Sequence, residues 1–243
     1  MMFLKLNIAA LLLPLALPFF IMSNIFSRAS QSENNFIVEQ NRAEQNGMSG
    51  TWSINIPGGA TTARLQLRRG DESLSIHVPL AQLQGLDASA AGTSQAGFQL
   101  ARDAGTFTFT GSFQNGRGSG QWTFKGNSDF VSNVRKHGYD HLTEEDLFRL
   151  VLNNISASYI AELAQAGYRN LPVSTLNALY SNGIRTGYIT GLAATGYAKL
   201  SPSDLLALKT NGVTETYIKS LQARGYKNLS VQEILSIRTN SSN

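Results

Sequence analysis

Apolar positions along this chain keep two different periods. From Gly50 to about Asn127 they alternate with polar ones, as half-buried strands require. Beyond residue 128, Gly-Tyr recurs every 29 residues, at Gly138/Tyr139, Gly167/Tyr168, Gly196/Tyr197 and Gly225/Tyr226, with Tyr159, Tyr188 and Tyr217 on the same beat. A period of that length marks stacked supersecondary units that borrow their core from one another. The pattern therefore predicts an α+β protein: a small antiparallel β domain over 49–127, followed by an all-α array of 29-residue helix hairpins over 128–243.

Turn chemistry fixes the strand registers. Gln114-Asn115-Gly116-Arg117 is a two-residue hairpin signal, because a type I′ turn needs positive φ at both central positions. Phe113 then faces Gly118, Gly111 faces Gly120, Phe109 faces Trp122 and Phe107 faces Phe124, all on one face. The paired glycines lie between aromatics, so neighbouring rings are expected to lean over the gap. A second hairpin at Gly70-Asp71 sets Leu67 opposite Leu74, Leu65 opposite Ile76 and Arg69 beside Glu72. With strands through Trp52, Ile54 and Ile56 and through Phe98 and Leu100, six strands make a sheet closed or folded on itself, and 85–97 is a small-residue loop.

Helix ends are equally explicit. Ser201 is an N-cap, Pro202 stands at the first helical position, and Leu200 can staple Leu205. Gly212 can take the left-handed position that stops this helix, and Val213 then meets Leu208. Thr214 caps the next helix and Gly225-Tyr226 closes it. Staples Leu142/Leu147, Leu171/Leu176 and Leu229/Ile234 repeat the logic, as do the stops Tyr139/Val134, Tyr168/Leu163 and Tyr197/Leu192. Pro172 and Arg185 in place of capping residues, and Asn154 in place of a stop glycine, are tolerable departures. About eight helices result, beginning with a half unit at Asp129–Lys136.

The N-terminus bears on compartment. Lys5 precedes an uncharged apolar stretch from Ile8 to Met22, broken by Pro14 and Pro18 and followed by polar residues, so 1–23 reads as a signal sequence or an N-terminal anchor left uncleaved. Either reading implies an exported, periplasmic or cell-envelope location. Residues 24–48 are rich in Ser, Asn, Gln and Glu without periodicity and read as a disordered linker. With no cysteine there is no disulfide, thiol nucleophile, sulfur-bound metal or lipid-carrying residue. The net charge of +4 is spread, with nine Lys and Arg against seven Asp and Glu in 1–127 and eleven against nine in 128–243, so neither part forms the basic footprint of a nucleic-acid binder.

At Arg102-Asp103-Ala104-Gly105-Thr106-Phe107, Gly111-Ser112-Phe113 and the Gly116–Phe124 run, followed by the Gly-Tyr and Asn-Gly-Val repeats, the chain resembles a bacterial module. That module is the extracytoplasmic C-terminal region of some membrane metallopeptidases of the β-lactam-sensor type. The resemblance covers roughly residues 50–240 and implies a sensory or protein-interaction role. The His-Glu-x-x-His motif of those peptidases is missing, so no catalytic residue carries over.

Candidate chemistry is sparse. His137-Gly-Tyr-Asp-His141, with Asp140, Glu144 and Glu145 nearby, has the spacing of a weak metal site, but Gly138 is expected to end a helix between the histidines and leave a solvated turn. His77 alternates with Ile76 and Val78 and faces outward. Glu144-Glu145-Asp146 occupies a first helical turn, where carboxylates meet the positive end of the dipole. Gly116-x-Gly118-x-Gly120 lies in a hairpin with no following helix and is no phosphate loop. Asn-x-Ser at Asn154, Asn228 and Asn240 matters only in a glycosylating host. Tyr159, Tyr188 and Tyr217 are the candidate interaction stripe. No catalytic residue, metal or cofactor is expected. The resulting expectation is an exported non-catalytic protein-interaction or sensor module that binds a cell-envelope protein through its repeat surface. It would bind no nucleic acid, and would meet the membrane only through an uncleaved N-terminal segment. An enzyme with an unrecognised site is the rival, and a helix-hairpin nucleic-acid binder the third.

Overall fold

The Asn115-Gly116 turn organises the sheet. Both residues are left-handed, with φ of +50° and +77°, and they join β6 (Gly105–Gln114) to β7 (Arg117–Gly126). The computed structural model, which describes residues 48–87 and 94–240, shows the expected register: Phe113 opposite Gly118, Gly111 opposite Gly120, Phe109 opposite Trp122 and Phe107 opposite Phe124. Gly70 likewise joins β2 (Thr62–Arg69) to β3 (Glu72–Pro79), with Leu67 facing Leu74, Leu65 facing Ile76 and Arg69 facing Glu72. The signal or anchor segment, all of the linker except Met48, and residues 88–93 of the expected loop lie outside the described residues.

Among the described residues seven strands, with β1 (Ser49–Asn55), β4 (Leu83–Gln84) and β5 (Ser94–Arg102) completing the set, form one antiparallel sheet in the order β3-β2-β1-β7-β6-β5-β4. Six were expected. β1 (Ser49–Asn55) pairs with both β2 and β7, and the extra strand is the two-residue β4 (Leu83–Gln84), held by buried Leu83 opposite Leu100. β5 (Ser94–Arg102) also starts inside the stretch read as a loop, because Ala96 continues the buried alternation of Phe98 and Leu100 behind a Gly, Ser and Gln-rich composition. The sheet curls strongly: Trp52 of β1 meets Phe98 of β5 edge-on, ring centroids 5.0 Å apart, although β7 and β6 lie between those strands. Glycines on β7 leave space beneath that ring and in the close approach of the strands. A Cβ on Gly120 would fall on the Thr110 carbonyl oxygen, and one on Gly118 would lie 2.9 Å from the Trp52 ring. The Trp52 indole N–H crosses the gap and donates to that same Thr110 carbonyl at 3.0 Å.

Eight helices follow among the described residues. They are α1 (Ser128–Arg135), α2 (Glu144–Leu152), α3 (Ala157–Gln165), α4 (Val173–Ser181), α5 (Thr186–Ala194), α6 (Pro202–Thr210), α7 (Glu215–Ala223) and α8 (Val231–Asn240). Their ends obey the local chemistry. The Ser201 hydroxyl accepts from the Asp204 N–H, the Thr214 hydroxyl from Tyr217, and Thr143 with Asp146 forms a complete capping box on α2. Gly212 stands at φ +66° while the Val213 N–H reaches back to the Leu208 carbonyl at 2.9 Å, the Schellman closure. Asn154 does the same work at φ +55°, with Ile155 bonded to the Leu150 carbonyl. Packing joins every second helix: α2, α4, α6 and α8 form one row, and α1 packs on α3 and α5 on α7. No helix among the described residues is long and apolar enough to cross a membrane.

Sheet and helices share one core. Phe148 of α2, 2% exposed, inserts against the inner face of the sheet, its ring 5.3 Å from Phe107 and 5.6 Å from both Trp122 and Phe124. Arg69 lies over the outer side of that ring and holds Glu145 at 2.7 Å and Glu72 at 3.0 Å. At the other end of α2, Arg102 donates to the terminal carbonyls of Val151 and Leu152, the first of which also accepts the Asn154 N–H at 3.1 Å. The Asp103 carboxylate accepts the Ala157 N–H at 3.1 Å and so caps α3 from the sheet.

Candidate interaction surface

Most tyrosines of the 29-residue beat brace one helix against the backbone of another. Tyr159 is 4% exposed, and its hydroxyl donates to the Ile184 carbonyl at 3.0 Å; Tyr188, half-buried, repeats the bond to Val213 at 2.9 Å. Burial pushes both phenols up to about 12, against a smaller opposing influence of Arg185 at Tyr159. In the Gly-Tyr series, Tyr168 donates to Leu200 at 2.7 Å, Tyr197 donates to Leu229 at 2.8 Å, and Tyr139 accepts the Leu171 N–H at 3.1 Å. Tyr217 is half-buried under Arg238, and its hydroxyl has no hydrogen-bond partner. The helix-face positions that make these rings periodic also set Tyr159 and Tyr188 into the seams between helices.

A cleft opens instead where α2 and α4 begin. Its volume is about 760 Å³, and its walls include Asp140, His141, Asp146, Arg149, Ser174 and Asn177 over a floor of Leu142, Leu171 and Pro172. The α4 side explains the opening. Pro172 occupies the N-cap without a side-chain bond, leaving the first N–H groups of α4 without the hydroxyl lid that α2, α3, α6 and α7 carry. One turn further on, the Oδ1 of Asn177 is out of contact with water and has no donor. The cleft thus offers the start of α4 and charges of both signs, with the unpaired Asn177 Oδ1 buried behind its lining. The signal in the sequence was Pro172 at a capping position; Asn177 and Arg149 carried none, being single polar residues on amphipathic helices.

The acidic cluster has structural roles throughout. Asp146 closes the Thr143 capping box, Glu144 accepts the Gly126 N–H at 2.7 Å, and Glu145 is bound by Arg69 and, at 2.8 Å, by Arg149. Those hydrogen bonds, with Arg69 foremost, hold the Glu145 carboxyl below the usual range. The histidines are separated by Gly138 at φ +98°: His137 is half-buried with Nδ1 unpartnered, while His141 is exposed on the cleft wall. Among the described residues no three His, Asp or Glu side chains converge as metal ligands do. His77 is exposed on the outer side of β3. No protein-family description, curated protein or solved structure matches the chain.

Proposed function

We propose that the chain is an exported, non-catalytic interaction module whose 29-residue helix hairpins form a continuous array, with the α2/α4 cleft as the part of that array a protein partner engages. Helix starts support the array: Glu144, Val173, Pro202 and Val231 open helices 29 residues apart, as do Ala157, Thr186 and Glu215. The struts follow the same interval, each Tyr of one unit reaching the backbone of the next. The observation that carries the binding site is the pairing, in one cleft, of the uncapped α4 start with the buried acceptor of Asn177. A peptide supplies a carbonyl for the uncapped helix N–H groups, and the amide group of Asn177 lies close behind the cleft lining to adjust to it. The resemblance to the extracytoplasmic region of sensor-type peptidases points the same way, to a partner in the bacterial cell envelope. Export rests on the apolar Ile8–Met22 stretch.

The test is a pull-down from envelope extracts with the full chain as bait, run beside N177A and R149A. The reading expects a partner that the parent retains and N177A loses. Equal capture by all three would place the partner outside the cleft, and turnover of a substrate by the purified chain with no partner captured would favour the enzyme reading.

A further inference from the structure

The outer face of the sheet has a composition that folding alone does not ask for. Outward side chains line up in rows across the strands. One row is Arg64, Asn55 and Arg117; the next is Gln66, Ser53, Ser119 and Ser112; a third is Arg68, Thr51, Gln121 and Thr110; Lys125 stands beside Thr106 in the last. Among the described outward-facing residues there is no Asp or Glu. The carboxylates of this region sit elsewhere: Glu72 is bonded to Arg69, Asp103 caps α3, Asp71 is in a hairpin turn and Asp87 follows β4. Arg64, Arg68, Arg117 and Lys125 are exposed, and none of them forms an ion pair among the described residues. A solvated sheet face usually mixes both signs. This one is cationic and otherwise built from hydroxyls and amides.

Its relief is equally specific. Two shallow depressions, of about 360 Å³ and 550 Å³, lie on either side of Ser119 and share it. Arg68 lines the first and Arg117 the second, so a track crosses β2, β1, β7 and β6 with a guanidinium toward each end. Arg64 and Arg117 flank Asn55 from strands on either side, roughly 10 Å apart by strand spacing. Guanidiniums pair carboxylates and sulfates through two parallel bonds, and rows of Ser, Thr, Gln and Asn match the hydroxyls of sugars. The aromatic side chains of these strands point inward, so the face has no stacking platform for single-stranded nucleic acid, and it lacks the large apolar anchors of a protein interface.

We propose that this outer face binds an anionic polysaccharide, a sugar chain bearing carboxylate or sulfate groups, laid along the β2–β1–β7–β6 track with Arg64, Arg68 and Arg117 pairing its acidic groups. The site is independent of the helical cleft. Titration calorimetry of the full chain with polygalacturonate, heparin, neutral dextran and a 30-nucleotide oligo-dT tests it. Binding to polygalacturonate or heparin but not dextran is expected, and the better of the two tells whether carboxylate or sulfate is read. R64Q/R117Q should weaken that binding at least tenfold, and R68Q severalfold. R224Q/K227Q, which removes two exposed cations from the helical region, should change it less than twofold. Failure of both acidic glycans to bind, parental affinity in R64Q/R117Q, or oligo-dT binding as tightly as the better glycan would overturn the proposal.

Discussion

Replacing Phe148 with Ala removes the side chain through which the helices grip the sheet. The ring is 2% exposed and touches Phe107, Trp122 and Phe124 at centroid distances of 5.3 to 5.6 Å. Truncating a buried Phe costs about 3–5 kcal/mol, part of it lost transfer free energy and part the cavity left behind. The upper half applies here, because the cavity's walls are strands pinned by their own ladders and cannot collapse into it. The Arg69 stack is lost as well, at about 0.5–1 kcal/mol for a cation still partly in water. Equilibrium unfolding in urea measures the effect with two probes, tryptophan fluorescence for the sheet, which holds Trp52 and Trp122, and far-ultraviolet circular dichroism for the helices. The parent should give coincident transitions, and F148A should shift both. A loss below about 1 kcal/mol, or a helical transition displaced while the tryptophan transition stays put, would refute the shared core.

Further expectations follow from single contacts. Y168F and Y188F each delete a strut and should cost about 1 kcal/mol in the same unfolding assay, whereas Y217F, whose hydroxyl has no partner, should be neutral or slightly stabilising. G120V drives a side chain into the Thr110 carbonyl and should cost about 1–3 kcal/mol, with the tryptophan emission shifted because Trp52 loses its seat. G212V places a β-branched residue at φ +66° beside Arg238 and should cost on the order of 1–3 kcal/mol. Because folding raises the Tyr159 and Tyr188 phenols from about 10 to about 12, their neutral forms favour the folded state; that contribution is complete below pH 10 and lost as pH rises through 12, so an alkaline melt should coincide with tyrosinate absorbance.

Much of the fold was legible wherever a few adjacent residues decide it. Asn115-Gly116 and Gly70-Asp71 set two registers to the residue, and Ser201, Thr214, Gly212 and Gly225 set helix ends, because turns and caps are local chemistry. The short β4 and the early start of β5 were hidden, since their pairing depends on Leu100 and Gly111 rather than on any run of their own. Docking was hidden too. Phe148 reads as one more apolar position on α2, and Arg69 meets Glu145 across 76 residues of sequence. That contact gives Glu145 a role beyond its place in the first helical turn; E145A frees Arg69 at a cost of up to about 1 kcal/mol for so exposed a pair. For the site, the periodicity located the tyrosines but could not say that their hydroxyls turn into the neighbouring backbone. A sequence period reports that positions are equivalent, not which way they face.

The central claim is that a protein partner binds the helical array at the α2/α4 cleft. Hydrogen–deuterium exchange of the full chain, alone and with the partner recovered from the envelope, tests it most directly. The account predicts new protection at the start of α4, over Val173 to Asn177, and along the α2 wall at Asp146 and Arg149. Protection absent from both helices and confined to the sheet or to α7 and α8 would contradict it.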